Sequence, residues 1–134
     1  MVKQNLPVEE GAPSKLMPLR EPTFYILLAL SKERKHGYAI LKDVEALSEG
    51  RTVLSTGTLY GALARLLEQG VVRSSTEERG GDGSGLEIRP GRENTQGRKY
   101  YELTQLGRKV LEAEIKRMNT LLATASRELG EEGV

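Results

Sequence analysis

Apolar residues recur at helical spacing along much of the chain. The stretch from Pro22 to about Ser31–Arg34 is mostly apolar and opens with a proline, which the first turn of a helix tolerates. This pattern predicts a largely buried core helix. A second helix is predicted to open at His36-Gly37-Tyr38 and to end at Gly50. Its apolar stripe is Tyr38, Ile40, Leu41, Val44 and Leu47.

The stretch from Arg51 to Leu67 predicts a short strand, a tight entry and a third, amphipathic helix. Four leucines share one helical face and predict its buried side: Leu59, Leu63, Leu66 and Leu67. The opposite face is small and carries no acid: Gly57, Thr58, Gly61, Ala64 and Arg65. Ser55 or Thr56 can cap the N-terminus, where backbone N–H groups and the positive end of the helix dipole favour a phosphate. The small, acid-free face would let such a helix lie close against a negatively charged, rod-shaped macromolecule.

Two strands are predicted after the third helix. Gly70 is typical of a helix end, and Val71–Arg79 has the β-branched character of a strand. A loop rich in glycine and charge follows, and Arg98–Thr104 predicts the returning strand. The two strands would form a β-ribbon with a long tip.

The last predicted helix begins after a Thr104 cap and carries a seam of apolar residues at spacings typical of a coiled coil. The seam comprises Leu111, Ile115, Met118, Leu122, Ala125 and Leu129. We expect it to pack against the same helix of a second subunit. The alternative is that the helix folds back on its own domain, as its other side, with Leu106, Val110 and Leu121, is expected to do.

The predicted elements follow the order of a winged helix-turn-helix: helix, helix, short strand, helix, strand, loop, strand, helix. We therefore predict an α+β, mainly α fold with a C-terminal dimerisation helix. The expected divisions are a flexible N-terminal arm at 1–20, a winged-helix DNA-binding domain at 21–103, the dimerisation helix at 104–130 and a frayed tail at 131–134.

Charge, composition and motifs argue against several classes of function. The net charge of +1 and pI near 8.0 argue against a protein that binds nucleic acid by charge alone. The chain has no cysteine, its longest apolar run is too short to span a membrane and no signal peptide is recognisable, so we expect a cytoplasmic protein. No catalytic constellation, phosphate loop or metal cluster is evident, so neither an enzyme nor a cofactor is predicted. The single histidine, His36, is expected to be structural or capping.

The predicted DNA-binding residues lie on the third helix and on the returning strand: Ser55, Thr56, Thr58, Tyr60, Arg65, Arg98 and Lys99. Tyr60 could donate its hydroxyl to a phosphate or simply pack against the ribbon. Arg89 and Arg92 are either contacts or solvated charges of the loop, because Glu87 and Glu93 flank them.

Three groups of residues resemble the PadR family of bacterial transcriptional regulators. They are His36-Gly37-Tyr38; Gly57-Thr58-Leu59-Tyr60 with Leu63, Leu66 and Gly70-Val71-Val72; and Arg98-Lys99-Tyr100-Tyr101-Glu102-Leu103-Thr104 with Gly107-Arg108. The single C-terminal helix resembles the short subfamily. The chain departs from the family at Gly61, where proline is usual, and in a wing longer than usual between Gly80 and Gly97.

The resemblance implies a homodimeric repressor of transcription that binds double-stranded DNA, often relieved by a small aromatic or drug-like effector bound between subunits. We expect this homodimer to read an inverted repeat through the third helix and the wing. The rival interpretation is a winged-helix module that binds protein instead of DNA, and exposed apolar residues on the third helix would favour it.

Overall fold

The computed structural model describes residues 16–76 and 99–130. Within this part the chain forms α1 (Glu21–Ala29), β1 (Lys35–His36), α2 (Gly37–Leu47), α3 (Thr56–Glu68), β2 (Val72–Thr76), β3 (Lys99–Leu103) and α4 (Gln105–Leu129). Most of the predicted arm, the tip of the wing with Arg89, Arg92 and Arg98, and the predicted tail lie outside the described residues. The fold is mainly helical with a small antiparallel sheet, as the winged-helix prediction requires.

Helix α1 is apolar on nearly every side and occupies the centre of the fold. Ile26 and Leu27 have no solvent exposure, while Phe24, Tyr25 and Leu28 are half-buried around them. The helix ends at Ala29, slightly before the predicted end, because the Leu30 amide donates to the Ile26 and Leu27 carbonyls and tightens the last turn.

Helix α2 buries a narrower face than the sequence predicts. Ile40 and Val44 are fully buried, but Tyr38 is 65% exposed and Leu47 is 46% exposed. The stripe prediction was therefore wrong for Tyr38 and Leu47. Tyr38 follows Gly37 at the start of the helix, roughly 100° around the axis from that buried glycine, and is exposed to solvent.

The predicted strand before α3 is absent, and the third strand of the sheet lies earlier in the chain. The sheet order is β1-β3-β2, with Lys35 opposite Tyr101 and His36 opposite Tyr100. In the segment before α3, the backbone of Thr52 is instead hydrogen-bonded to a side chain. The Thr52 amide donates to Ser48 Oγ at 2.9 Å, and Ser48 itself is fully buried.

A compact junction joins α3, β2 and α4 around Thr104. The Thr104 amide donates to the Val71 carbonyl at 3.1 Å, and its hydroxyl donates to the Gly70 carbonyl at 2.6 Å. The same hydroxyl accepts a hydrogen bond from the Gly107 amide at 3.0 Å, which confirms Thr104 as the N-cap of α4. Gly70 has a φ of +76°, the left-handed conformation that lets the chain turn from α3 into β2.

The first turns of α4 belong to the same core as the winged helix. Val110 is fully buried and Leu111 is 4% exposed. The core therefore continues past residue 103, across the predicted division at 103/104. Its buried apolar members are Ile26, Leu27, Ala29, Leu30, Ile40, Val44, Leu59, Ala62, Leu63, Leu66, Val71, Val72, Tyr101, Val110 and Leu111.

Residues 16–20 depart from the predicted flexible arm because they pack on the core. Leu16 and Leu19 are partly buried against it. The Leu19 amide also donates to Glu114 Oε2 at 3.3 Å, which ties this segment to α4. Glu114 is only 2% exposed, and Arg117, one turn further along α4, donates to both of its carboxylate oxygens at 2.8 and 2.7 Å.

Replacing Gly107 by alanine tests the junction. A Cβ at Gly107 would collide with the Val71 carbonyl oxygen, so the turn or the helix start must shift. We expect Gly107→Ala to lower the free energy of unfolding by about 1–3 kcal/mol. The measurement is the urea midpoint at fixed protein concentration.

Gly61→Ala is the matched control, because nothing lies within 4 Å of a Cβ built at Gly61 in the interior of α3. Alanine there should raise the free energy of unfolding by up to about 1 kcal/mol through helix propensity. Equal effects of the two substitutions would contradict the close approach at Gly107.

Candidate nucleic-acid interface

Helix α3 presents one buried and one open face, as predicted. Leu59, Leu63 and Leu66 are buried and Leu67 is half-buried. All five outward residues are exposed: Gly57, Thr58, Gly61, Ala64 and Arg65. A Cβ at Gly57 or Gly61 would meet no atom within 4 Å, so packing within the described chain requires neither glycine. Their lack of side chains instead leaves the surface of the helix open to close approach.

Ser55 caps α3 and fixes the position of Thr58. Ser55 Oγ accepts from the Thr58 amide at 3.1 Å and donates to Thr58 Oγ1 at 3.0 Å. The Thr58 hydroxyl is exposed and keeps capacity both to donate and to accept outward. The amides of Thr56 and Gly57 precede the first intrahelical bond and face the open N-terminus. No acidic residue lies in this first turn.

Tyr60 lies on the flank of α3 and packs against two neighbouring elements. Its hydroxyl end lies directly over Gly37 at the start of α2, where a side chain would collide with it. Its ring centroid is 6.4 Å from that of Tyr101 on β3. Burial, with a smaller contribution from the nearby Tyr60 hydroxyl, raises the pKa of Tyr101 above 10.0. Tyr60 is still 43% exposed, so packing does not remove it from the surface.

Lys99 is exposed at the end of the ribbon that leads to the wing tip. It lies opposite Thr76, four residue pairs away from the Leu103–Val72 pair at the core. The outer face of the ribbon carries an ion pair in which Arg73 Nε donates to Glu102 Oε2 at 2.7 Å. The structure brings Ser55, Thr56 and Thr58 together at one helix end, whereas Lys99 belongs to a separate element.

The seam on α4 divides into a buried and an open part. Leu111 is covered by its own chain, which the prediction of a purely intersubunit role had missed. Beyond it the exposed fraction is 39% for Ile115, 37% for Met118, 56% for Leu122 and 72% for Leu129, and Ala125 is also exposed. Leu121, expected to fold back on the domain, is 56% exposed as well. The face that enters the core at Val110 and Leu111 thus continues uncovered along the helix.

The burial of Glu114 escaped the sequence prediction, and the structure decides between the two roles expected for His36. Glu114 gave no signal because it stands among other charged residues of α4, although its spacing of three from Leu111 places it near the buried face. His36 occupies the N-cap position of α2, but its side chain makes no capping hydrogen bond. Its ring lies 5.6 Å from that of Tyr100, so its observed role is packing on the sheet.

Fold and surface together define a winged helix-turn-helix protein. The Transcriptional regulator PadR-like family model matches residues 26–113, which is more than half of the chain. The chain belongs to this family. The family is one of transcription regulators, and within residues 16–76 and 99–130 no group of three or more acidic or histidine side chains could hold a metal ion.

Solved structures support the same fold. A PadR family transcription regulator from Clostridium difficile is 24% identical with a TM-score of 0.60, over 82% of this chain and 99% of that one. A PadR family transcriptional regulator from Eggerthella lenta is 25% identical with a TM-score of 0.55, over 81% and 84%. Bacillus subtilis PadR, solved in complex with operator DNA, is 21% identical with a TM-score of 0.55, over 72% and 47%.

Comparison with curated proteins finds no match. Across the helices that the structure describes, none is both long and apolar enough to cross a membrane.

The buried Glu114 carboxylate predicts how the stability of the protein depends on pH. Hydrogen bonds from Arg117 lower the pKa of Glu114 below 4.5, helped by the Leu19 amide and opposed by burial. Because the native pKa lies below that of the unfolded chain, the stabilisation is complete above the unfolded value and is lost as the pH falls through the native value. Glu114→Gln should therefore lower the urea midpoint at pH 7 and flatten its loss in acid.

Glu112→Gln is the control, since Glu112 is an exposed carboxylate on the same helix. It should leave the midpoint close to that of the wild type at every pH. If Glu114→Gln and the wild type lost stability in parallel below pH 4.5, the buried carboxylate would not be the group that titrates.

Proposed function

We propose that this protein is a homodimeric repressor that binds an inverted repeat in double-stranded DNA through α3 and the wing. The observation that carries the proposal is the outward face of α3, which is small, exposed, free of acids and preceded by a capped N-terminus. A helix about 10–12 Å across fits the major groove of B-DNA, which is about 12 Å wide, when its outward side chains are small.

The polar groups of this face suit both the phosphate backbone and the base edges of a DNA duplex. Amides at the N-terminus of α3 and the positive end of its dipole suit a phosphate. Thr58 and Arg65 supply donors that can reach base edges. Lys99, together with Arg98 beyond the described ribbon, suits the backbone next to the groove. The operator complex of Bacillus subtilis PadR supports DNA as the partner for this fold.

The rival role as a protein-binding module needs an apolar outward face on α3. Tyr60 is the one large hydrophobic residue of that helix with high exposure, and it already contacts Gly37 and Tyr101. Protein interfaces place aromatic and aliphatic anchors at their centre, whereas the centre of this face consists of Gly57, Gly61 and Ala64. The composition of the face therefore favours DNA.

The second subunit is proposed from the open part of the α4 seam. Ile115, Met118, Leu121 and Leu122 form a continuous apolar surface on the side of α4 that enters the core further upstream. Such a patch is unusual on a monomer, and a two-fold axis through it would pair identical surfaces. Two copies of α3 would then lie about one DNA turn, ~34 Å, apart.

Repression and its relief by a small aromatic effector complete the proposal. Both rest on the family resemblance, and no ligand site is assigned to particular residues. An effector held between subunits would act by changing the spacing of the two α3 helices, since that spacing decides whether both half-sites can be bound at once. A DNA-binding role is also consistent with the expected location in the cytoplasm.

Selection of bound sequences from random duplex DNA tests the function directly. We expect recovery of an inverted repeat whose half-sites lie about 10 base pairs apart. Affinity for this repeat should fall on the order of 10³ to 10⁵ between 50 and 200 mM salt, as for about six to ten phosphate contacts. Recovery of no common sequence, or a duplex affinity indifferent to salt, would count against the proposal.

Variants of the predicted contacts extend the same assay. Arg65→Ala or Thr58→Ala should change the recovered sequence, because these side chains leave α3 on its outward face. Arg98→Ala with Lys99→Ala should weaken binding to all duplexes alike and reduce the salt slope. Equal effects of both sets on sequence preference would contradict this division.

Ile115→Asp tests the dimer. Ile115 is 39% exposed in the single chain, so the subunit should still fold, whereas a dimer would bury an unpaired carboxylate at considerable cost. We expect a folded monomer in sedimentation, with loss of tight binding to a two-half-site duplex.

Thr120→Asp is the control, since Thr120 is exposed on the opposite side of α4. That variant should remain a dimer. If Ile115→Asp also remained a dimer and bound DNA tightly, α4 would not be the dimerisation element.

A further inference from the structure

Val53 is an apolar side chain that lies open to solvent just before α3. It is 67% exposed, and among the large hydrophobic residues of ranges 16–76 and 99–130 only Leu129, near the end of α4, is more exposed. Single apolar side chains are common on protein surfaces, so exposure alone gives Val53 no role. Its position, and the way in which its backbone is held, set it apart.

The backbone on both sides of Val53 is fixed by buried residues. Before it, Ser48 is fully buried; its Oγ accepts from the Thr52 amide at 2.9 Å and lies 3.3 Å from the Thr52 carbonyl oxygen, to which it can donate. After it, Leu54 packs against the core and Leu59 is fully buried. Leu54 precedes the N-cap and Leu59 is the fourth residue of α3, the two positions of a hydrophobic staple, which fixes the direction in which the chain enters the helix.

The location of Val53 places it beside the N-terminus of α3. In a helix-turn-helix, the N-terminal residues of the recognition helix contact base edges. Val53 precedes the N-cap, Ser55, by two residues, a chain length of at most about 7 Å, which corresponds to about two base-pair steps of ~3.4 Å. With α3 in the major groove, Val53 is therefore within reach of a base pair next to those that the N-terminus meets.

The chemistry of the valine side chain restricts which group in the groove it can contact. Valine has no donor or acceptor, so placing it over a phosphate or over the polar edge of a base would remove water without replacing the lost hydrogen bonds. The C5-methyl group of thymine is the apolar group that the major groove presents. Contact between this methyl group and the valine would bury apolar surface on both molecules.

We propose that Val53 contacts the C5-methyl group of a thymine in each half-site and so helps to select the sequence. The inference rests on the proposed function and adds the segment before α3 to the residues that read bases. Because the backbone is fixed and the β-branched side chain is stiff at χ1, little conformational entropy is lost on contact. The contact selects thymine by its methyl group and not by its hydrogen bonds.

Replacement of thymine by deoxyuridine tests the contact, because it removes only the methyl group and leaves the base pair intact. Each thymine of the selected half-site is replaced in turn, in both halves of the repeat. At one position we expect the wild type to bind about fourfold more weakly per half-site, the effect of one buried methyl group. Val53→Ala should bind both duplexes equally at that position and keep the wild-type losses at every other thymine. Val53→Ile keeps an apolar β-branched side chain and should retain the wild-type response.

Leu47→Ala is the matched control, since Leu47 is another exposed apolar residue, at the end of α2. It should keep the deoxyuridine loss that Val53→Ala abolishes. Both alanine variants should stay close to the wild type in urea midpoint and in sedimentation, since both side chains are exposed. Disappearance of the deoxyuridine effect in Leu47→Ala as well would show that it is not specific to Val53 and would overturn the contact.

Further outcomes separate this contact from the proposed function. If the wild type binds an inverted repeat with the expected salt dependence, the proposed function stands. The Val53 contact would then be overturned by a half-site without thymine, by equal deoxyuridine losses in Val53→Ala and the wild type, or by an equal loss of affinity for selected and random duplexes, which indicates a backbone contact. A change of oligomeric state in Val53→Ala would make the residue a subunit contact and overturn the proposal too. A wild type without duplex binding would overturn both.

Discussion

The closure of α4 onto the turn after α3 is the constraint on which the rest of the structure depends. Thr104 bonds both carbonyls of the Gly70-Val71 turn and caps α4, and the absence of a side chain at Gly107 lets the helix start against that turn. The recognition candidate α3, the ribbon and α4 thus meet at one point. Direct hydrogen bonds and a close backbone approach thus fix the start of α4 against the end of α3.

One face of helix α4 is buried in its first turns and exposed beyond them. Its first turns complete the core through Val110 and Leu111, and Glu114 marks the transition, since it is buried but charged and fully hydrogen-bonded. Beyond it the same face is apolar and open. The Glu114 carboxylate accepts from both Arg117 and the Leu19 amide, so it connects residues 16–20 to the helix that carries the proposed dimer surface.

The sequence supported the class of fold, the faces of α3 and the cap of α4, because periodicity and capping are local signals. It failed where an element depends on a distant partner. Lys35–His36 is too short to show a strand pattern, and it is a strand only because β3 lies beside it. Tyr38 was predicted to be part of the buried stripe of α2 and is exposed, while the charged Glu114 is buried without any signal in the sequence. The proposed DNA contacts depend on a duplex, so the sequence could suggest their face but not their roles.

The cap on α3 also limits the bases that the helix could distinguish. The outward polar groups of α3 are the Thr58 hydroxyl, which Ser55 holds in place and which can both donate and accept, and the Arg65 guanidinium and the N-terminal amides, which only donate. Under the proposed function, such a face would complement the acceptor edges of guanine and the thymine O4, with the Ala64 and Thr58 methyl groups suited to the thymine methyl. It holds no carboxylate to accept from the cytosine amino group. Under the proposed function, Arg65 would therefore favour guanine, whereas the Thr58 hydroxyl could serve either a donor or an acceptor edge.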